Sequence, residues 1–329
     1  MKLSIEQIRS IAKGCVRVTE ADGKIQLLRF TKEQEEMYLI SNVGFYDKTF
    51  ATAGVRLEFI TDSPSISLKV DVSRSSSRTV FSHSIVVDGQ RKYTLGADLA
   101  DSPDTHVTLE GSFALGEGEK KVVVYFPWSV RSEIISLDID NGAFVRPVEH
   151  TAKILLFGDS ITHGYDAEFP DESYASLLTD AFDAEGFNKG IGGEVFRPEL
   201  AVLADGFTPD IVTVAYGTND WGGRTKEEFD STCEGFYKNL SALYPNSKIF
   251  ALSPIWRGSA YKTTKVGSFD YLASKIKSVA SALPNVTFID CTNFVPHSAE
   301  MFAPDVLHPN SRGFSHYGKN LIDEIKKYI

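Results

Sequence analysis

Between residues 50 and 140 the apolar positions recur every second residue. Val55, Leu57 and Phe59 alternate with polar or charged neighbours, as do Ile66, Leu68, Val70 and Val72, the pattern of strands that bury one face. Asp88-Gly89 separates the runs Ile85-Val86-Val87 and Tyr93-Thr94-Leu95, and a tight hairpin needs positive φ at both central positions, which this pair accepts. Further strands are predicted at Val107 to Leu109, Val122 to Phe126 and Ile134 to Ile139. Short strands with turns and no helical period between them predict an antiparallel sandwich or jelly roll. Ahead of them, Ser4-Ile5-Glu6-Gln7 has capping-box spacing, with Ile5, Ile8 and Ile11 along one side and Gly14 placed to end a short helix.

After Asn141 the period changes. Continuous apolar runs at Ile154 to Phe157, Ile211 to Ala215, Ile249 to Leu252 and Val286 to Ile289 suit parallel strands covered on both faces. Between them lie helical stripes: Tyr174, Leu177, Leu178, Ala181 and Phe182, with Asp171 as the predicted N-cap; Phe269, Leu272, Ile276 and Val279; and Phe314, Tyr317, Leu321, Ile325 and Tyr328. This alternation predicts an α/β, three-layer doubly wound parallel sheet behind the sandwich. The expected division is a sandwich domain over 1–145 and an α/β domain over 151–329, with Gly142 and Pro147 in the joint.

Composition narrows the function classes. The 329 residues carry 34 Lys+Arg and 44 Asp+Glu, a net charge of −10, which disfavours a nucleic-acid binder, whose affinity rests on a basic surface. No run approaches the roughly 20 apolar residues of a membrane span, and the first 20 residues lack the apolar core of a secretory signal. Cys15, Cys233 and Cys291 are odd in number and far apart, fitting neither a disulfide framework nor a zinc cluster. The compartment reads as reducing, hence cytoplasmic, and Met1 speaks against a trimmed signal peptide.

Ligands of an open parallel sheet bind where its strands end. The first predicted strand there is followed by Gly158-Asp159-Ser160, the second by Tyr216-Gly217-Thr218-Asn219-Asp220 and the third by Ser253-Pro254-Ile255-Trp256-Arg257; Asp305-Val306-Leu307-His308-Pro309 precedes the last helix. A serine, an asparagine, an aspartate and a histidine thus converge on one rim. Serine is a weak nucleophile until a histidine takes its proton, and a carboxylate fixes that histidine's tautomer. The oxyanion needs donors, which Asn219 and the backbone of Gly190-Ile191-Gly192-Gly193 offer. Each residue alone has a structural alternative: Ser160 as a helix N-cap, His308 as a loop residue bonded to backbone, Asn219 as a turn residue, Gly193 as a bend.

FGDSITHG at 157–164, NKGIGGE at 188–194, YGTND at 216–220 and DVLHP at 305–309 together resemble the four blocks of the SGNH/GDSL hydrolase superfamily, in the same order. The resemblance covers about 151–329 and implies Ser160 as nucleophile, His308 as general base and Asp305 as its orienting acid. It further implies an oxyanion hole from the N–H groups of Ser160 and Gly193 and the side chain of Asn219, with Asp159 bracing the loop. Gly193 is chosen because it precedes Glu194, where the family usually has Gly-Asp. There is no GxSxG elbow around Ser160, which separates the chain from ordinary α/β-hydrolases. A sandwich ahead of such a domain is similar to bacterial carbohydrate esterases, including deacetylases of plant polysaccharides. Some of those lack the aspartate that Asp305 supplies here.

The expectation is a serine esterase that removes short acyl groups, acetyl first, from carbohydrate esters through an acyl-enzyme, with no metal or organic cofactor. Its partner is a small-molecule or oligosaccharide ester, not nucleic acid or membrane, and a homo-oligomer is left open. Trp256 and Arg257 are candidate sugar contacts, because sugars stack on aromatic faces and Arg donates in a planar fork; a packed Trp and a solvated Arg are the alternative. Trp128 reads as core, or as facing the second domain. His83, His106, His150, His163, His297 and His316 show no metal-ligand spacing and read as surface or loop residues. The rivals are a lysophospholipase or thioesterase with a longer acyl pocket, and a carbohydrate-binding protein whose second domain is a relic.

Overall fold

The computed structural model describes residues 1–101 and 106–329. The first half is two antiparallel sheets. One runs Ala12–Lys13, Arg56–Thr61, Lys120–Tyr125, Val80–Val87, Gln90–Asp98, with Arg146–Pro147 also pairing on Arg56–Thr61; the other runs Arg17–Ala21, Lys24–Leu28, Val130–Ile139, Ser65–Arg74, His106–Ala114. The period-two residues meet between them: Leu57, Phe59, Ile85, Val122 and Val124 from one sheet, and Ile66, Leu68, Val70, Val72 and Ile134 from the other, form one core with no exposed surface. The Asp88-Gly89 turn adopts φ of 48° and 78°, joining Val80–Val87 to Gln90–Asp98 as its sequence predicts.

The first fifty residues hold more structure than their pattern predicts. The capping box does start a helix, Ile5–Ile11, but the helix stops at Ala12 because Ala12–Lys13 pair with Leu57 and Arg56; Gly14 follows that pairing instead of ending the helix. A hairpin of Arg17–Ala21 and Lys24–Leu28 and helices Lys32–Ser41 and Val43–Thr49 come next. They escape the periodicity because the first of these helices buries only Gln34 and Tyr38, too little for an apolar stripe.

The second half is a five-stranded parallel sheet in the spatial order Ala184–Asn188, Ala152–Gly158, Ile211–Ala215, Lys248–Leu252, Val286–Ile289. Successive residues of its strands feed two different cores. Leu155 and Phe157 pack with Phe229, Phe236, Leu272 and Ile276 from helices Lys226–Leu243 and Phe269–Ala280, whereas Ile154 and Leu156 pack with Leu178, Phe314 and Leu321 from helices Tyr174–Ala181 and Ser311–Ile325. That double burial is why these strands read as unbroken apolar runs. The edge strand Ala184–Asn188, sequence Ala-Glu-Gly-Phe-Asn, pairs on one side only and has no such run, so its sequence does not announce it. Helix Tyr174–Ala181 is capped by Ser173, not by Asp171. Asp171 instead accepts from Arg91 at 2.8 Å and Ser84 at 2.6 Å in the sandwich.

The halves meet through such pairs, with the cation on the N-terminal side. Arg56 meets Asp180 at 2.5 Å, Arg91 meets Asp171 and Glu172, and Arg78 meets Asp166. Buried Arg29 donates to the carbonyls of Asn188 at 2.7 Å and Gly190 at 3.2 Å. No helix among the described residues is long and apolar enough to cross a membrane.

Candidate active site

The strand order places the crevice of the sheet between Ala152–Gly158 and Ile211–Ala215, where successive crossovers depart in opposite directions. Gly158 lies opposite Ala215 in register, so Ser160 and Asn219 leave the sheet from neighbouring strands at one level. Gly158 admits no side chain, since a Cβ there would stand 1.9 Å from Thr162 Oγ1. Asp159 caps the four-residue helix Ser160–His163 by accepting from the Ile161 N–H at 2.9 Å, and Gly164 ends it with φ of 107°. Ser160 is therefore held at a helix start with its backbone N–H unused among the described residues.

His308 arrives from the loop ahead of the last helix. Asp305 Oδ1 accepts the N–H groups of Leu307 at 3.0 Å and His308 at 3.1 Å, closing the loop, and its Oδ2 accepts from His308 Nδ1 at 2.6 Å. With Nδ1 donating, Nε2 is the ring's acceptor, and it faces Ser160 Oγ at 2.7 Å. Ser160 and His308 are 5% and 8% exposed, so the pair is shielded from bulk water. Burial pushes the Asp305 carboxyl up, but the hydrogen bonds from the His308 side chain and the loop N–H groups outweigh it, leaving it below the usual carboxylate range. It is an anion across the neutral range and holds the imidazole's tautomer there.

The glycine turn is pinned on all sides. Ile191 N–H donates to Gly158 O at 3.1 Å, Lys48 Nζ to Gly192 O at 2.6 Å, and Gly192 N–H to His163 Nδ1 at 3.3 Å. Gly193 adopts φ of 91°, a conformation that side chains resist, and its N–H has no acceptor among the described residues. Asn219 Nδ2 donates to Glu194 O at 2.9 Å, which ties the asparagine to the same turn and leaves its second amide hydrogen over. Free N–H groups on Ser160, Gly193 and Asn219 are what a developing oxyanion needs.

Asp159 is nearly sealed. Burial, reinforced by nearby Asp220, pushes its carboxyl up to about 7, and burial likewise lifts Asp220 to about 6. Asp159 acts through its cap on Ile161 and makes no hydrogen bond to His308 or Ser160, in keeping with its expected bracing role.

The two candidate sugar contacts separate. Arg257 Nη1 donates to Thr218 O at 3.3 Å and Oγ1 at 3.2 Å, beside Asn219, and its charge bears on Asp159 and Asp305. Trp256 is half-buried: it stacks on His297 at 4.9 Å, lies edge-on to Phe302 and packs against the core of the parallel domain.

Three of the histidines read as surface or loop residues have enclosed rings, although His150 does lie in a loop. His83 is sealed inside the sandwich, His150 is wedged between Glu58 and Asp183, and His163 is 1% exposed. His163 Nε2 donates to Trp128 O at 2.8 Å while Nδ1 accepts from Gly192, and burial followed by the charge of Arg29 holds the ring well below its usual pKa, hence neutral. Trp128 is buried between the halves, donating Nε1 to Ala167 O at 3.1 Å. His163, inside the FGDSITHG block, and Lys48, which no motif marks, therefore both hold the glycine turn of the site.

Residues 156–315 match the family model of the GDSL-like lipase/acylhydrolase family. No curated protein matches the sequence significantly. Among solved structures the chain is similar to the salicylyl-acyltransferase SsfX3 of a tetracycline biosynthetic pathway, at 19% identity with a TM-score of 0.83 over 96% of this chain and 94% of that one. It is also similar to a family two carbohydrate esterase from Cellvibrio japonicus, at 17% identity and TM-score 0.68 over 99% and 97%. An acetyl xylan esterase from the rumen bacterium Butyrivibrio proteoclasticus aligns at 17% identity and TM-score 0.59 over 84% and 91%. Residues 156–315 are thus similar to the GDSL-like lipase/acylhydrolase family, with a sandwich in front of them and the Asp305–His308–Ser160 relay at the rim of the parallel sheet.

Proposed function

We propose that the protein is a serine esterase that removes short acyl groups, acetyl first, from carbohydrate esters. The observation that carries this reading is the unbroken relay from Asp305 through His308 to Ser160, 2.6 Å and 2.7 Å long. In the proposed reaction Ser160 Oγ attacks the ester carbonyl as its proton passes to His308 Nε2. The oxyanion is met by the N–H groups of Ser160 and Gly193 and by Asn219 Nδ2. The imidazolium, held by Asp305, returns the proton to the departing sugar hydroxyl, and the same histidine then draws a proton from water as it hydrolyses the acyl-enzyme. The likeness to carbohydrate esterases and an acetyl xylan esterase supports the sugar and the acetyl group. We place the reaction in the cytoplasm, on imported oligosaccharides or small glycosides.

The test is hydrolysis of p-nitrophenyl acetate, butyrate and octanoate by the wild type and Ser160→Ala. The expected result is turnover that falls with chain length and collapses by about 10⁴-fold or more in the variant. Equal rates in both proteins would overturn the reading and favour sugar binding without turnover; preference for octanoate would favour a lysophospholipase or thioesterase. A second reading, transfer to an alcohol acceptor, draws on the full-length likeness to an acyltransferase. It predicts a new ester at the expense of free acid when an alcohol is added.

A further inference from the structure

His308 faces a second carboxylate that the relay does not use. Asp166 Oδ2 lies 3.5 Å from His308 Nδ1, too far for a good hydrogen bond but well within Coulomb range. Asp166 sits at φ of 68°, an uncommon conformation for a residue with a side chain. Arg78 holds it there from the sandwich: Nε donates to Oδ1 at 2.8 Å and Nη2 to Oδ2 at 2.7 Å, a two-pronged pair, while the same Nη2 lies 3.8 Å from Asp305 Oδ2. Arg78 is itself fixed. Its N–H donates to Ser76 Oγ at 3.1 Å, that hydroxyl donates to Ser129 O, and the guanidinium lies 5.2 Å from the ring centre of Tyr165, which in turn packs 5.6 Å from His308.

We propose that Asp166 is a second carboxylate stabilising the His308 imidazolium, and that Arg78 is a positioning residue through which the sandwich sets the charge around the catalytic histidine. The proposal rests on the esterase reading. The charged and titratable groups around His308 are Ser160; Asp305 on its own loop; Tyr165 and Asp166 behind the Ser160 helix; Arg78 from the sandwich; and Arg257, acting through Asp305. Two acids and a cation on the Nδ1 side give opposite signs on substitution. Removing the Asp166 charge disfavours the imidazolium; removing Arg78 leaves both carboxylates uncompensated and favours it.

The experiment is the pH profile of kcat/KM for Asp166→Asn, Arg78→Gln and Arg78→Lys, with the His308 ring followed by NMR titration in the same proteins. The acid limb and the ring titration should move to lower pH in Asp166→Asn and to higher pH in Arg78→Gln, each by about one unit, while Arg78→Lys should return towards the wild type. In addition, Asp166→Asn should lower kcat by a larger factor in an Asp305→Asn background than alone, because the two acids share one histidine. A merely structural Arg78 would lower activity in all variants without opposed shifts. Unshifted profiles and ring titrations in both variants, or equal effects of Asp166→Asn in both backgrounds, would overturn the proposal. A wild type inert on every ester would instead sink the esterase reading, and the ring titration would still decide this one.

Discussion

Two histidines in this chain make nearly the same pair of contacts. In the sandwich, His83 Nε2 meets Ser132 Oγ at 2.8 Å and Nδ1 meets Leu95 O at 3.0 Å; at the sheet rim, His308 Nε2 meets Ser160 Oγ at 2.7 Å and Nδ1 meets Asp305 Oδ2 at 2.6 Å. Both rings are therefore held in the tautomer that leaves Nε2 to accept from a serine. The difference is the third member. A neutral carbonyl in a sealed interior gives no support to an imidazolium, and burial drives the His83 ring down to about 4. The Asp305 carboxylate does give support, and the rim adds unused N–H groups within the same segment of the fold. A serine beside a histidine is thus not chemistry in itself; a charge partner and an oxyanion site make it so.

Removing each serine in turn separates the two histidines most strongly. Ser160→Ala should abolish ester turnover on the scale given above with little change in melting temperature, whereas Ser132→Ala should leave kcat unchanged. Asn219→Ala should lower kcat by about 10²- to 10³-fold, and steady-state kinetics on p-nitrophenyl acetate would measure it; a change in KM alone would place the side chain outside the oxyanion hole.

The two buried titratable groups nearest the comparison should bend the stability curve in opposite directions. His83 binds its proton less readily folded than unfolded, so stability falls as pH drops from about 6.5 towards 4, by about 3 kcal/mol in all. Asp159 binds its proton more readily folded, so stability falls instead as pH rises from the ordinary aspartate range towards 7. Denaturant unfolding at several pH values in wild type, His83→Gln and Asp159→Asn would separate them, with each variant flattening its own limb. The smallest effect is the stability cost of Ser132→Ala, about 1 to 3 kcal/mol for leaving a buried ring nitrogen unpaired, read from the shift of the urea midpoint.

Much of this was legible without coordinates. The period of two, the Asp-Gly hairpin at Asp88-Gly89 and the capping box at Ser4 became what they predict, because each is a constraint acting within a few residues. The relay was legible too: Asp305 and His308 belong to one loop, and Ser160 and Asn219 follow adjacent strands of a parallel sheet. The misses have a common cause. Asp171 looked like a cap because it precedes the stripe, but Arg91 on a sandwich hairpin claims it and Ser173 caps instead. His83 and His163, read as surface or loop residues, are buried because Ser132 and Trp128, distant in sequence, take their ring nitrogens.

Local pattern thus set many of the strands and helices, though not those of the first fifty residues or the edge strand Ala184–Asn188, and it set the division into an antiparallel and a parallel part and the serine, histidine, aspartate and asparagine that share a rim. Periodicity, capping and turn chemistry act over one to four positions and survive any arrangement of the larger pieces. The docking of the two halves, by contrast, is what brings Arg78 to Asp166 across 88 positions and Lys48 to Gly192 across 144. It also decided that Arg29 is buried against the glycine turn, its guanidinium donors satisfied by the carbonyls of Lys48, Ala51, Asn188 and Gly190. A cation carries no local mark of the acceptor it will find, because that depends on how two sheets come to lie against one another.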